Sequence, residues 1–147
     1  MQSRIAHYGV IAAVVLVAYL PIFSGDFIYD DQALVRDNPY IRQLQTLSSY
    51  LSQEDGIVDE RDRGRLHTGY YRPLVNVTYF LDYRIWGMKA YGFRATNLLL
   101  HLVACFLLYE WLLRLTGRGR ESFWAVLLFA LHPVQTETIS IIVARNN

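Results

Sequence analysis

The chain has 147 residues, 53% of them hydrophobic and 18% charged, with a formal net charge of +1. That balance offers no basic surface for nucleic acid, and the single cysteine, Cys105, excludes an internal disulfide and a cysteine-rich zinc site. The apolar residues lie in blocks, which points to membrane helices; Cys105 falls inside one block and reads as a small packing residue.

The first block, IAHYGVIAAVVLVAYLPIF (5–23), has nineteen residues, roughly 28 Å at the helical rise and about one hydrocarbon thickness. Arg4 would also suit the n-region of a signal peptide. The exit Leu20-Pro21-Ile22-Phe23 is bulky where a peptidase needs small side chains, so an uncleaved anchor is expected. Next comes FIYDDQALVRDNPYI (27–41), with the adjacent acids Asp30 and Asp31 and a second polar knot, Asp37-Asn38-Pro39. Ile41, Leu44, Leu47 and Leu51 recur at helical spacing, predicting a short amphipathic helix over about 40–52. Residues 53–65 carry both signs of charge and two glycines, and read as a solvated loop.

In GYYRPLVNVTYFLDYRIWG (69–87), Pro73 suits a first helical turn and Gly87 a stop. Asp82 and Arg84 make the stretch between them too charged to span a bilayer. Its crowded aromatics (Tyr79, Phe80, Tyr83, Trp86) predict a helix over 73–86 lying on the outer membrane surface, with a soluble aromatic core as the alternative. The second long block runs from Gly92 to Leu115, and a third from Phe123 to about Val143 has a polar middle. Between these two lies Thr116-Gly117-Arg118-Gly119-Arg120, preceded by Arg114. Short arginine-rich loops stay on the cytoplasmic side, so the amino terminus is expected inside, 24–91 outside and the 116–122 turn inside. At 68 residues the outer loop is long enough to be translocated regardless of its own arginines.

The expected fold is therefore all-α: one polytopic membrane domain over 1–147, with three transmembrane helices (5–23, 92–115 and 123–143, the last kinked at Pro133). Its long outer loop carries interfacial helices at about 40–52 and 73–86. Polar residues inside the spans must face protein or a water-filled cavity, because ionisable groups in lipid are expensive. Asn97 and His101 lie one turn apart on one face, Glu110 can reach Arg114, and His132, Gln135 and Glu137 surround Pro133. A membrane polar cavity of Asn97, His101, His132 and Glu137 and simple interhelical hydrogen bonding are both open readings. His132 and Glu137 do not match the two-His, one-Glu helical zinc pattern, so no metal site is expected from them. Asp30 and Asp31 could merely terminate a helix. Close like charges raise one pKa, which also suits a general base, and a carboxylate there could hold a divalent cation against a phosphate.

Four stretches in order, FIYDDQALVRDNPYI (27–41), YYRPLVNVTYFLDY (70–83), GFRATNLLLHLVACFLL (92–108) and FALHPVQTETISIIVARNN (129–147), carry a resemblance over almost the whole chain. Together they resemble the amino-terminal part of the transmembrane and tetratricopeptide-repeat-containing O-mannosyltransferases and their bacterial relatives. These belong to the GT-C class of polyprenyl-phosphate-sugar-dependent glycosyltransferases. The resemblance implies transfer of a mannose-like sugar from a polyprenyl phosphate to a protein or glycan hydroxyl on the outer face. It implies that Asp30 and Asp31 match the acidic motif, one of them being the base or acceptor-orienting carboxylate. Arg72 matches the Y-R-P-L arginine; its charge and position suit a donor phosphate, with loop-pinning through Asp82 or another acid as the rival role. His101 ends the N-L-L-L-H match, and His132, Pro133 and Glu137 match H-P-x-x-x-E. No cofactor beyond a divalent cation is implied; the expected partners are membrane lipid, the polyprenyl-phosphate sugar and a second chain supplying further helices. The expected location is an integral multi-pass protein of the bacterial inner membrane, or of the endoplasmic reticulum in a eukaryote. Family members continue with many more helices, whereas this sequence stops at Asn147. It is thus expected to be an amino-terminal fragment, inactive alone, with a non-catalytic three-helix scaffold or a remnant of a truncated gene as the alternatives.

Overall fold

The computed structural model describes residues 2–28, 30–37, 39–42, 56–58, 65–67 and 73–146. Helix α1 spans Gln2–Tyr19 and tightens into a 3-10 turn at Leu20–Ser24, where Pro21 ends the regular ladder. Asp30 and Asp31 open a short helical stretch that runs through a π turn at Gln32–Arg36, followed by a 3-10 turn at Pro39–Arg42. Of the amphipathic helix expected over 40–52, residues 43–52 lie outside the described residues, as does Arg72.

The all-α expectation needs one correction. Gly56–Val58 (β1) and Arg65–His67 (β2) pair antiparallel, with Ile57 opposite Leu66. The charges and two glycines of 53–65 point to a loop, but short runs at its two ends, each with an apolar residue, pair as strands.

Helix α2, Pro73–Trp86, has the predicted boundaries: proline occupies the first turn and Gly87, at φ +65°, ends it. Helix α3, Ala90–Thr116, is the longest of the described helices at 27 residues and touches each of the other described α-helices. It stops at Gly117 (φ +66°), whose N–H donates to Leu113 O at 2.9 Å. Thr116 Oγ1 accepts from Arg118 N at 3.1 Å and closes the turn into α4, Gly119–Ala130.

The third apolar segment is two helices, not one kinked helix. After α4 the chain breaks at Leu131 and His132 and restarts as α5, Pro133–Ser140. Proline restricts the preceding residue to extended backbone, and His132 sits there at ψ 133°. Its Nδ1 caps α5 by accepting from Val134 N at 3.3 Å. Twelve residues of α4 reach roughly 18 Å, short of the hydrocarbon thickness. Two segments, Arg4–Ser24 and Ala90–Thr116, are long and apolar enough to cross a membrane.

One packed cluster joins Ile11, Val15 and Tyr19 of α1 to Leu98, Cys105 and Tyr109 of α3, Val126 and Ala130 of α4 and Ile139 of α5. The α1 residues recur every four positions, so a single stripe is buried while Leu16, Val17 and Leu20 stay exposed. At the start of α1, His7 Nδ1 and Tyr109 Oη are 2.7 Å apart and Tyr8 donates to Glu110. Glu110 also stands 4.0 Å from Arg114, one helical turn on. A second cluster sits at the other end of α3: Phe27, Val35, Ile41, Tyr79, Ala90, Phe93 and Ile142. It seats the loop that carries the acidic pair.

Candidate functional site

Asp30 and Asp31 are neighbours in sequence and opposites in environment. Asp30 is exposed, whereas Asp31 is fully buried, at 0% exposure. The structure thus offers one carboxylate to a ligand and commits the other to the fold. Asp31 Oδ1 accepts from Val143 N at 2.8 Å, tying the first loop to the 3-10 turn Val143–Asn146. Its other oxygen, Oδ2, is buried with no hydrogen-bond partner among the described residues. Burial pushes the Asp31 carboxyl above its ordinary value; hydrogen bonds from backbone, Val143 first, and the charge of Arg94 pull it partly back. The upward displacement expected of one acid is therefore found on Asp31, and its cause is lost solvation, not the neighbouring charge.

The approach to Asp30 is fixed by short local bonds. Asp26 Oδ1 accepts from Phe27 N at 2.8 Å, Asp31 N donates to Ile28 O at 3.0 Å, and Gln32 Nε2 donates to Phe27 O at 3.1 Å. Asp37 forms an exposed fork with Arg36 at 2.9 and 3.1 Å. Phe27 and Val35 are buried on either side of the acid pair, so the turn is held at both ends while Asp30 projects outward.

Two arginines with buried side chains carry this arrangement, and neither stands out in the sequence. Arg94, near the start of α3, is 2% exposed and spends its guanidinium on backbone carbonyls. It donates to Ile22 O at 3.1 Å, Ser140 O at 3.0 Å, and the carbonyls of Gly25 and Asp26. The exit of α1 and the end of α5 are thereby fastened to α3 by one side chain. The approach to Gly25 is close: a Cβ there would lie 3.1 Å from Arg94 Nη1, so the guanidinium would have to give by a few tenths of an ångström. Arg145 does the corresponding work on the other flank. It donates to Asn97 Oδ1 at 2.6 Å, Thr78 Oγ1 at 2.7 Å and Phe93 O at 3.0 Å, and stands 5.0 Å from the centre of the Tyr79 ring. Asp82 Oδ2 lies 2.9 Å from Arg145 Nη1, an ion pair without hydrogen-bond alignment, and Asp82 Oδ1 accepts from Thr96 at 2.5 Å. Burial raises the Asp82 pKa, while Thr96 and Arg145 draw it down.

The four residues expected to share a polar cavity divide into two pairs. Asn97 and His101 are buried on α3. Asn97 Nδ2 lies 3.3 to 3.5 Å from the carbonyls of Thr138, Ile139 and Ile141, and so serves the open end of α5. His101 Nε2 is 3.2 Å from Ala130 O, the carbonyl at the helix break, which also accepts from Tyr19 Oη at 2.9 Å. His132 and Glu137 are exposed, and among the described residues no hydrogen bond or ion pair joins them to that buried pair. Among the described residues no group of three or more His, Cys, Asp or Glu side chains is placed to hold a metal ion. A phosphate partner at Arg72 lies outside the described residues.

No family model and no solved structure matches the chain. Curated relatives do. Protein O-mannosyl-transferase F38B6.6 of Caenorhabditis elegans is 28% identical over 138 residues, covering 88% of this chain and 19% of that protein. Protein O-mannosyl-transferase TMTC2 of Homo sapiens is 31% identical over 134 residues, covering 91% and 16% respectively. Protein O-mannosyl-transferase TMTC4 of Homo sapiens is 31% identical over 150 residues, covering 92% and 20%. The chain thus spans a fifth or less of the length of these relatives. Over about nine-tenths of its own length it resembles protein O-mannosyl-transferases, consistent with the amino-terminal part of that family.

Proposed function

We propose that this chain forms the acceptor-side wall of a glycosyl-transfer site on the outer face of a membrane, with Asp30 as the general base. The observation that carries the reading is the asymmetry of the acid pair: Asp30 is exposed on a turn clamped at both ends, and Asp31 is buried beneath it. In the proposed reaction an acceptor hydroxyl oxygen attacks the anomeric carbon of a mannose-like sugar. The bond from that carbon to the polyprenyl-phosphate oxygen breaks, its electrons stay on the phosphate, and the hydroxyl proton passes to Asp30. A carboxylate in solvent is a weak base, so its contribution depends on being held in line with the hydroxyl. Arg72 would face the departing phosphate, and further helices, on this chain or a second one, would complete the donor pocket.

The proposed topology places the amino terminus and the 116–122 turn in the cytoplasm and the Asp30 turn outside. It is supported by Arg4, Arg114, Arg118 and Arg120 at one end of the helices. A second reading, a non-catalytic membrane subunit, draws on Asn97 and His101, whose polar atoms serve the packing of the broken segment. The experiment separating the two is transfer of mannose from its polyprenyl phosphate, measured in membranes of cells whose natural gene is replaced by variants. Asp30→Asn is expected to lower transfer by about 10² or more, the range for loss of a general base. Asp31→Asn keeps an acceptor for Val143 N and is expected to retain most of it. Undiminished transfer by Asp30→Asn refutes the catalytic reading.

A further inference from the structure

The turn Val143–Asn146 holds two clamps at once. Val143 N donates to Asp31, while two residues on the Arg145 guanidinium binds Asn97, Thr78 and the Phe93 carbonyl and pairs with Asp82. Just before it, Ile142 is fully buried in one cluster with Phe27 and Val35 of the acidic turn and Tyr79 and Phe93 of α2 and α3. Its carbonyl accepts from Tyr79 Oη at 3.2 Å. The loop before Asp30 is fastened separately, through the carbonyls that Arg94 holds. The stretch 30–36, by contrast, reaches the helices, among the described side chains, through Asp31 on this turn and through Val35 in the same cluster.

We propose that Arg145 is a positioning residue for Asp30: by anchoring the Val143–Asn146 turn to α2 and α3, it fixes the turn onto which Asp31 docks, and so sets the place of the exposed acid. It touches neither Asp30 nor any reactant. The reason lies in the geometry of the guanidinium, whose rigid fork directs donors to α2 and α3 at once; no other residue type offers that set. Without it the turn keeps the Asp31 bond, the Tyr79 bond to the Ile142 carbonyl and the burial of Ile142 and Ala144, and local opening becomes easier. The proposal rests on the reading of Asp30 as the base, and its test separates the two ideas.

The test uses the whole chain in membranes, with Cys105→Ala to remove the native thiol and Val35→Cys as a buried reporter beneath the acidic turn. A membrane-impermeant maleimide reads how often that turn lifts, and mannose transfer is measured in the same membranes. Arg145→Met is combined with Asp82→Asn so that no buried carboxylate is stranded. The reporter is expected to react about tenfold faster in this variant, the effect of losing one charge-assisted clamp on a local opening. Transfer should fall in kcat with KM for the lipid-linked sugar unchanged. Adding Asp31→Ala should give no further acceleration, because both changes act through one turn. A reporter rate within about twofold of the parent, or acceleration that multiplies between the two changes, overturns the proposal. Should the Met/Asn pair react at the rate of the denatured chain, Arg145→Lys decides: it keeps the charge beside Asp82 but not the fork, and faster labelling supports the proposal while a parental rate refutes it. If instead Asp30→Asn transfers normally while the reporter responds as expected, the catalytic reading falls and the coupling of turn and loop stands.

Discussion

At the scale of single residues, the acidic pair shows how burial assigns roles that chemistry alone leaves equal. Asp31 is costly to ionise because burial has removed its water, and one of its oxygens has no partner among the described residues. The linkage then has a definite sign. A carboxyl whose folded pKa is raised binds its proton more tightly in the folded state, so its stabilising contribution is complete below 3.8, the unperturbed value, and is lost as pH climbs through the folded pKa. Asparagine does not titrate and still accepts from Val143 N. The melting temperature of Asp31→Asn relative to the parent is therefore expected to rise as pH climbs above about 4, each tenfold displacement of proton affinity being worth about 1.4 kcal/mol. Thermal melts in detergent across that range check it; a constant difference would mean that Asp31 is not held above its ordinary value. The pair itself was legible in FIYDDQALVRDNPYI, since adjacent acids beyond an apolar block are visible at once. Which of the two is buried was not, because the deciding partner, Val143, lies 112 residues away. Arg94 and Arg145 were missed for a related reason: their partners are mostly backbone carbonyls and a distant acid. One signal was available, however, since an arginine inside the apolar block 92–115 must be compensated somewhere.

At the scale of elements, the sequence is informative where local geometry decides and silent where tertiary partners do. Pro73 and Gly87 bound α2 through their own backbone preferences, and both limits were readable. The third segment was harder, because Pro133 permits either a kink or a full break. The break prevails because the carbonyl it frees is answered from two other helices: Ala130 O accepts from Tyr19 and lies within reach of His101. In a continuous helix that same oxygen would instead accept from Val134 N. His132 Nδ1 already occupies Val134 N, and Asn97 secures the far end of α5 at its last carbonyls. Pro133→Ala alone is therefore expected to leave helix content unchanged, because the tertiary partners hold the break without the proline. Adding Tyr19→Phe removes a hydrogen bond worth about 1 kcal/mol and should let 119–140 join into one helix. Far-UV circular dichroism of the two variants checks this; increased helicity in Pro133→Ala by itself would show that the proline imposes the break.

At the scale of the whole molecule, charge and apolar surface are separated along the helix axes. Leu16, Val17, Leu99, Leu107 and Leu128 leave the sides of α1, α3 and α4 exposed and apolar, a surface suited to lipid or to other helices. Exposed arginines gather where α1 begins and α3 meets α4: Arg4, Arg114, Arg118 and Arg120. At the opposite end of α3, around the acidic turn, Asp31, Asp82 and Arg94 are buried, and Arg145, half-buried as a residue, keeps its side chain only 7% exposed. Such a distribution biases insertion, since arginines in a short turn resist translocation while a long loop crosses largely regardless of its charge. The proposed orientation rests on the turn more than on the amino terminus, where Arg4 contributes a single arginine. In a Cys105→Ala background, a cysteine replacing exposed Gln32 is expected to react with an impermeant maleimide in intact cells. One replacing Arg118 should react only after permeabilisation. Replacing Arg114, Arg118 and Arg120 together by asparagine removes the bias, and Gln32→Cys should then be labelled in only part of the population. Full protection of Gln32→Cys in the unaltered background would invert the topology, and with it would remove Asp30 from the face on which an outer acceptor could meet it.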